Sequence, residues 1–237
     1  MSSPIAKADK STLDKALIVS HQKLSHSHRI RRLVELFSDR ITSLNLTAPV
    51  KVLDVGCGDM ALARGLMERH VKMELTCVDI YPPPANISEL DGIWSHYRQF
   101  DGRTLPFHDN SYDLVLFSDV LHHVPAERLL PLLVSAGRVG KYVLVKDHFE
   151  YGFWSRQALR AMDFIGNYGY GVSVPTRYFS KTTFKAVIEE AGLTVERLDV
   201  GIQLYHHLPL VRSILSPRWQ FLATCSPHES IGLLDYP

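Results

Sequence analysis

Apolar runs and polar gaps alternate along the middle of this chain. Runs at 51–55, 73–79, 97–100, 112–118 and 141–146 have the length and the Val/Leu/Ile content of buried strands. The stretches between them, near 60–69, 86–93 and 125–138, carry apolar residues three and four positions apart, the spacing of one helix face. Strand and helix in alternation predict right-handed crossovers and an α/β architecture, a mostly parallel sheet with helices on both faces. After 146 the rhythm changes. Residues 155–164 read as a short helix, 166–171 as a tight glycine-rich loop, and 184–191 as a helix stopped by Gly192. Two β-rich runs, 195–205 and 219–225, have only a connection between them. They predict an antiparallel pair at the sheet's edge and bring the sheet to seven strands.

Ahead of the first strand, residues 11–46 form a helical pattern. Ile30, Leu33, Val34, Leu36 and Phe37 lie on one side, and Arg29, Arg31 and Arg32 read as a solvated face. His21, His26 and His28 in this segment read as surface or capping residues, and residues 1–10 as a polar tail. The predicted organisation is a helical segment over 1–46 and one domain over 47–237.

Composition narrows the partners. The chain has 237 residues and a formal net charge of +1. That balance gives no electrostatic reason to expect nucleic acid or an anionic membrane as partner. No apolar run approaches the roughly 20 residues that span a bilayer, and the first residues lack the apolar core of a secretory signal. Three cysteines, Cys57, Cys77 and Cys225, are too few and too odd in number for a disulfide framework, which fits a reducing cytoplasm. Cys57 reads as a small apolar filler. Without a Cys-x-x-Cys pair no metal site is expected.

The chemistry concentrates where strands end. Val52-Leu53-Asp54-Val55-Gly56-Cys57-Gly58 is an apolar run ending in an acid and then Gly-x-Gly, ahead of a helical pattern. Glycines allow positive φ and let a ligand approach the backbone. The acid can accept from an ammonium group, and the helix N-terminus beyond favours a carboxylate. A dinucleotide-binding loop would place a third glycine at Ala61. Three further segments follow in order: an apolar run ending at Asp79-Ile80, then Asp101-Gly102, then Tyr112-Asp113-Leu114-Val115-Leu116 continuing to Asp119-Val120-Leu121-His122-His123.

Taken together these segments resemble the motifs of class I S-adenosylmethionine (SAM) dependent methyltransferases, in the ubiquinone/menaquinone-biosynthesis, type 11-like branch. The family's pattern has a third glycine where this chain has Met60, which is therefore expected to pack between helix and strand. The resemblance implies a Rossmann-like sheet and SAM as cofactor. It implies that Asp54, Gly56, Gly58, Asp79, Ile80, Asp101, Gly102 and Asp119 hold the cofactor, with Asp79 on the ribose diol and Asp101 near the adenine amino group. It covers about 50–226.

Methyl transfer from a sulfonium needs alignment and exclusion of water, and a base only where the acceptor starts protonated. Asp147-His148, at the tip of the fifth strand, is the candidate base with its orienting acid, and His122 and His123 read as structural. The aromatic segment 149–180 reads as a lid over the acceptor, which predicts a small, partly apolar or aromatic substrate. Tyr205-His206-His207 is a further candidate for the same rim. The histidines, and Ser118-Asp119-Val120-Leu121 in place of an Asn-Pro-Pro-Tyr clamp, favour oxygen or carbon over nitrogen as acceptor. The alternatives are a SAM-binding module without turnover and a methyltransferase acting on macromolecules.

Overall fold

A computed structural model describes residues 10–70, 72–83, 92–166, 174–204 and 217–228, with side chains from residue 26 onward. The tail, most of the helix expected near 86–93, the 166–171 loop beyond Gly166, the His21 side chain and Tyr205-His206-His207 lie outside these residues.

In chain order the elements are α1 (Lys10–Ser43), β1 (Val50–Val55), α2 (Ala61–Arg69), β2 (Met73–Asp79), β3 (Tyr97–Gln99), β4 (Tyr112–Ser118), α3 (Ala126–Val139), β5 (Gly140–His148), α4 (Phe153–Gly166), α5 (Lys181–Glu190), β6 (Leu193–Val200) and β7 (Gln220–Pro227). Short 3-10 turns at Gly92–His96 and Leu121–His123 lead into β3 and out of β4. The strands form one sheet in the order β3-β2-β1-β4-β5-β7-β6. Pairing is parallel from β3 to β5. β7 runs antiparallel to both β5 and the edge strand β6.

Side chains alternate across the sheet, so each strand feeds two cores. Leu53, Val55, Val115, Phe117, Val143 and Val145 point to the face covered by α3 and α5, against Leu133, Ala136, Phe184 and Ile188. Val52, Leu114, Leu116, Leu144 and Leu222 point to the other face, against Leu33 and Phe37 of α1 and Leu62 and Leu66 of α2. Burial on both faces is why the central strands read as continuous apolar runs. Ser180 and Thr183 close a reciprocal capping box at the start of α5.

The strand expected over 195–205 stops at Val200. Ile202 and Leu204 are buried, but they pack from irregular backbone after Gly201 at φ +89°. Burial of apolar side chains alone does not make a strand.

The strand order reverses between β1 and β4. In open parallel sheets that crevice, at the carboxyl ends of the strands, is where ligands bind. Downstream of it β7 locks the sheet through aromatic packing: Phe221 stacks on Phe149 with ring centres 3.9 Å apart and meets Phe184 at 4.8 Å. Phe221→Ala is expected to lower the unfolding free energy by about 3–5 kcal/mol in a denaturant titration, the range for deleting a fully buried Phe.

Candidate active site

The loop after β1 turns sharply because three of its residues take left-handed backbone: Gly56 at φ +76°, Gly58 at +54° and Met60 at +64°. A side chain at Gly56 would collide with Val120, 2.5 Å away, so the loop after β1 and the turn after β4 press together at the crevice. At Gly58 the corresponding direction is open space, which leaves room for a ligand against the backbone. Met60, where the expected third glycine is missing, is fully buried beside Leu62 and Leu66 in the α1/α2 core, as its packing role requires.

Two carboxylates flank this loop. Asp79 accepts hydrogen bonds from the Gly58 N–H (2.9 Å) and the Tyr81 N–H (3.1 Å). Asp54 is 2 % exposed, and its Oδ2 has no hydrogen-bond partner among the described residues. Burial, reinforced by the nearby Asp79 charge, pushes the Asp54 carboxyl up to about 7. A buried acid with this oxygen unmatched, beside an open glycine turn, fits the ammonium end of an amino-acid-bearing ligand such as SAM. Cys57 is no nucleophile: its contact with Cys77 and its burial push the thiol up.

Across the crevice, β4 and β5 run in register with Ser118 opposite Lys146. That pairing puts the residues after β4 beside the tip of β5. Asp119, at φ +57°, is bonded by the Lys146 ammonium and by the Arg29 guanidinium from α1. Burial favours the neutral acid there, yet these two cations hold its carboxyl well below the usual range. Lys146 is itself completely buried, and desolvation lowers its pKa, with Asp119 opposing.

One step along β5, Asp147 is also completely buried. Its oxygens accept from the His122 ring Nδ1 (2.6 Å), from the His148 N–H (2.7 Å) and from the His122 N–H (3.3 Å). The His148 Nδ1 lies 3.4 Å from both Asp119 and Asp147, and burial together with the Lys146 charge lowers its pKa, which keeps the ring neutral. The His122 ring lies between Asp147 and Asp163 of α4. Burial opposes charge on it, but these carboxylates push it up to about 10, so it carries a proton at neutral pH.

The first 3-10 turn after β4 and the segment after β5 therefore share one polar cluster. A family model for a methyltransferase domain matches residues 53–141. Over this stretch the chain is similar to class I SAM-dependent methyltransferases of the type 11 family. SAM is the cofactor of such domains. The biotin biosynthesis bifunctional protein BioCD of Bordetella avium (strain 197N) is 30% identical over 94 residues, 39% of this chain and 20% of that protein. The chain thus spans about a fifth of the length of this curated relative. Among solved structures, a SAM-dependent methyltransferase from Methanosarcina mazei superposes with a TM-score of 0.58 at 16% identity, over 79% of this chain and 97% of that one. The mitomycin 7-O-methyltransferase MmcR superposes with a TM-score of 0.54 at 18% identity, over 75% of this chain and 49% of that one. At these identities the likeness is one of fold.

On this sheet the expected cofactor residues do not all fall together. Asp54, Gly56, Gly58 and Asp79 line the β1 side of the crevice. Ile80 and Gly102 lie side by side at its outer edge, where a side chain on Gly102 would come within 2.8 Å of Ile80. Asp101 is exposed, and its Oδ1 is taken up by the Arg103 and Thr104 N–H groups, each at 2.8 Å. Asp119 faces Arg29 and Lys146 instead of the loop.

Several participants escaped the sequence reading. Arg29, expected on a solvated face, turns inward onto Asp119, and the His26 ring meets Asp59 at 3.2 Å. Lys146 read as a strand residue. Asp163 and Tyr178, which bond to each other, close over His122 from the 149–180 segment. The aromatic residues of that segment divide. Phe149 and Tyr178 are buried, whereas Tyr151, Phe153, Trp154 and Phe164 are exposed.

The Asp119–Lys146 pair generates a stability prediction. Lys146→Met leaves a buried carboxylate short of one cation and is expected to cost about 3–5 kcal/mol in denaturant unfolding. Adding Asp119→Asn should recover most of that loss, and additive losses would contradict the pairing.

Proposed function

We propose that the chain is a SAM-dependent methyltransferase acting on an oxygen of a small, partly apolar acceptor. The observation that carries this reading is the division of charge across the crevice. On the β1 side stands Asp54, whose Oδ2 has no partner among the described residues and suits the cofactor's ammonium. On the β5 side stands a buried imidazole, His148, kept neutral by burial and the Lys146 charge, with Nδ1 3.4 Å from Asp147 and from Asp119.

When bound, SAM supplies a methyl group on a positively charged sulfur, which needs no further activation. The remaining work falls to the chain's own side chains. Asp79 fixes the loop after β1 through the Gly58 N–H. His148, with Nδ1 turned toward the two carboxylates, has Nε2 left to take a proton from an acceptor hydroxyl. Asp147 fixes its backbone and holds His122 in place. We assign the 149–180 segment to the cover that excludes water, with Asp163 and Tyr178 its inward-facing groups. A hydroxyl acceptor needs such a base, whereas an already nucleophilic amine does not. The near-neutral charge favours a small molecule over nucleic acid. The mitomycin 7-O-methyltransferase, by its name an oxygen-methylating enzyme, shares the fold.

The test is S-adenosylhomocysteine release with a panel of small phenols and alcohols. At least one is expected to turn over, and His148→Ala should lower kcat by about 100-fold or more while SAM affinity stays within twofold. Tight SAM binding with no release on any acceptor would instead mark a binding module without turnover. Equal loss of kcat and SAM affinity in His148→Ala would contradict its role as base.

A further inference from the structure

The His122 imidazole is clamped at both nitrogens. Asp147 takes Nδ1 at 2.6 Å, and Asp163 Oδ2 lies 3.4 Å from Nε2. The ring is 1 % exposed, and Nε2 makes no hydrogen bond of acceptable geometry among the described residues. His123, next in the same 3-10 turn, packs its ring against His122 with centres 4.1 Å apart. One donor atom each from His122, His123 and Asp163 lies within 4.8 Å of the others.

We propose that His122 Nε2, His123 and Asp163 form a binding site for one divalent transition-metal ion, of the zinc and cobalt class, joining the tip of β4 to α4. Four features carry the inference. Two imidazoles and one carboxylate are the donor set that such ions favour over magnesium or calcium, which take oxygen ligands. The 3.4 Å between Nε2 and the Asp163 oxygen is close to the separation, about 3.4 Å, of two ligands on a tetrahedral ion with bonds of roughly 2.0–2.2 Å. Asp147, bonded to the other ring nitrogen, is the partner that metal-binding histidines use to fix their orientation. Two carboxylates around one imidazole also supply negative charge to balance the ion, which would take the place of the Nε2 proton that His122 carries in the free protein.

A second grouping, His122 with Asp147 and His148, has the right atoms but is filled from within, because Asp147 is already bonded by the His122 ring and by two backbone N–H groups. In the outer grouping Asp163 Oδ2 accepts from the Tyr178 hydroxyl, a single bond among the described hydrogen bonds, and His123 and Asp163 are half-buried where Asp147 and His148 are buried. Three protein ligands leave a fourth position for water or another oxygen ligand. This site is independent of methyl transfer and stands or falls on metal binding alone.

The experiment uses the tag-free full chain, stripped with chelator and titrated with Co²⁺ alone. One equivalent is expected to bind saturably, with the intense visible absorption of four-coordinate cobalt, and Zn²⁺ should displace it. His123→Ala and Asp163→Asn should each weaken binding at least tenfold, and Asp147→Asn about 10–100-fold through His122. His123→Ala is the key variant, because its half-exposed position lets the fold survive, as circular dichroism and the unfolding midpoint would verify. Absence of saturable cobalt binding to the wild-type chain overturns the proposal. So does undiminished binding by folded His123→Ala and Asp163→Asn, or Mg²⁺ binding as tight as that of Co²⁺.

Discussion

Four carboxylates stand at the carboxyl ends of adjacent parallel strands, and each must be matched inside a low-dielectric interior. Asp119 is matched by Lys146 and Arg29, and Asp147 by His122 and two backbone N–H groups. Asp79 is matched by the N–H groups of Gly58 and Tyr81. Asp54 is the exception: no described group bonds its Oδ2, and burial drives it toward the neutral acid. Among the described residues, the acids at β4 and β5 are thus matched by side chains and backbone N–H groups, and the Asp54 Oδ2 is not.

The same requirement ties distant parts of the chain to the site. Arg29 reaches Asp119 across 90 positions of sequence, and His26 reaches Asp59 in the loop after β1. The first helix is thereby fixed both by its apolar stripe against β1, β4 and α2 and by ionic contacts at the crevice. On the other side Asp163 and Tyr178 bring α4 and the residues before α5 over His122. Helix and cover meet the strand tips from opposite sides, so the polar cluster is enclosed by segments that lie outside 53–141, the stretch matched by the family model.

Much of this was legible in the sequence, and the reason is local. Strands buried on both faces write themselves as apolar runs, and six of the seven strands fall within about three residues of the expected positions. The Gly-x-Gly turn is equally local, since its left-handed backbone is a demand on consecutive residues. What could not be read depends on register and on long-range approach. Nothing near Lys146 announces that it is buried; that follows from Ser118 pairing with it across β4 and β5. Arg29 shares its helical stretch with Arg31 and Arg32, and only the packing of α1 on the sheet singles it out. His122 reads as a structural residue, but its partner Asp147, 25 positions away and 2.6 Å from the ring, follows only from the packing of the turn after β4 on β5. The overextended reading of 195–205 has the opposite cause, because Ile202 and Leu204 are buried without belonging to a strand.

The central claim is that the buried Asp54 carboxyl receives the ammonium group of SAM, and the dissociation constant of SAM as a function of pH tests it most directly. In the free protein Asp54 is protonated below about 7, and only the ionised form can pair with the ammonium group. Binding must then expel the proton, so affinity should fall by up to about tenfold per pH unit as pH drops below 7. Asp54→Asn should bind SAM weakly and with little pH dependence over the same range. A wild-type affinity that is flat from about pH 5.5 to 7, or an Asp54→Asn protein that binds SAM as tightly as the wild type, would contradict the account.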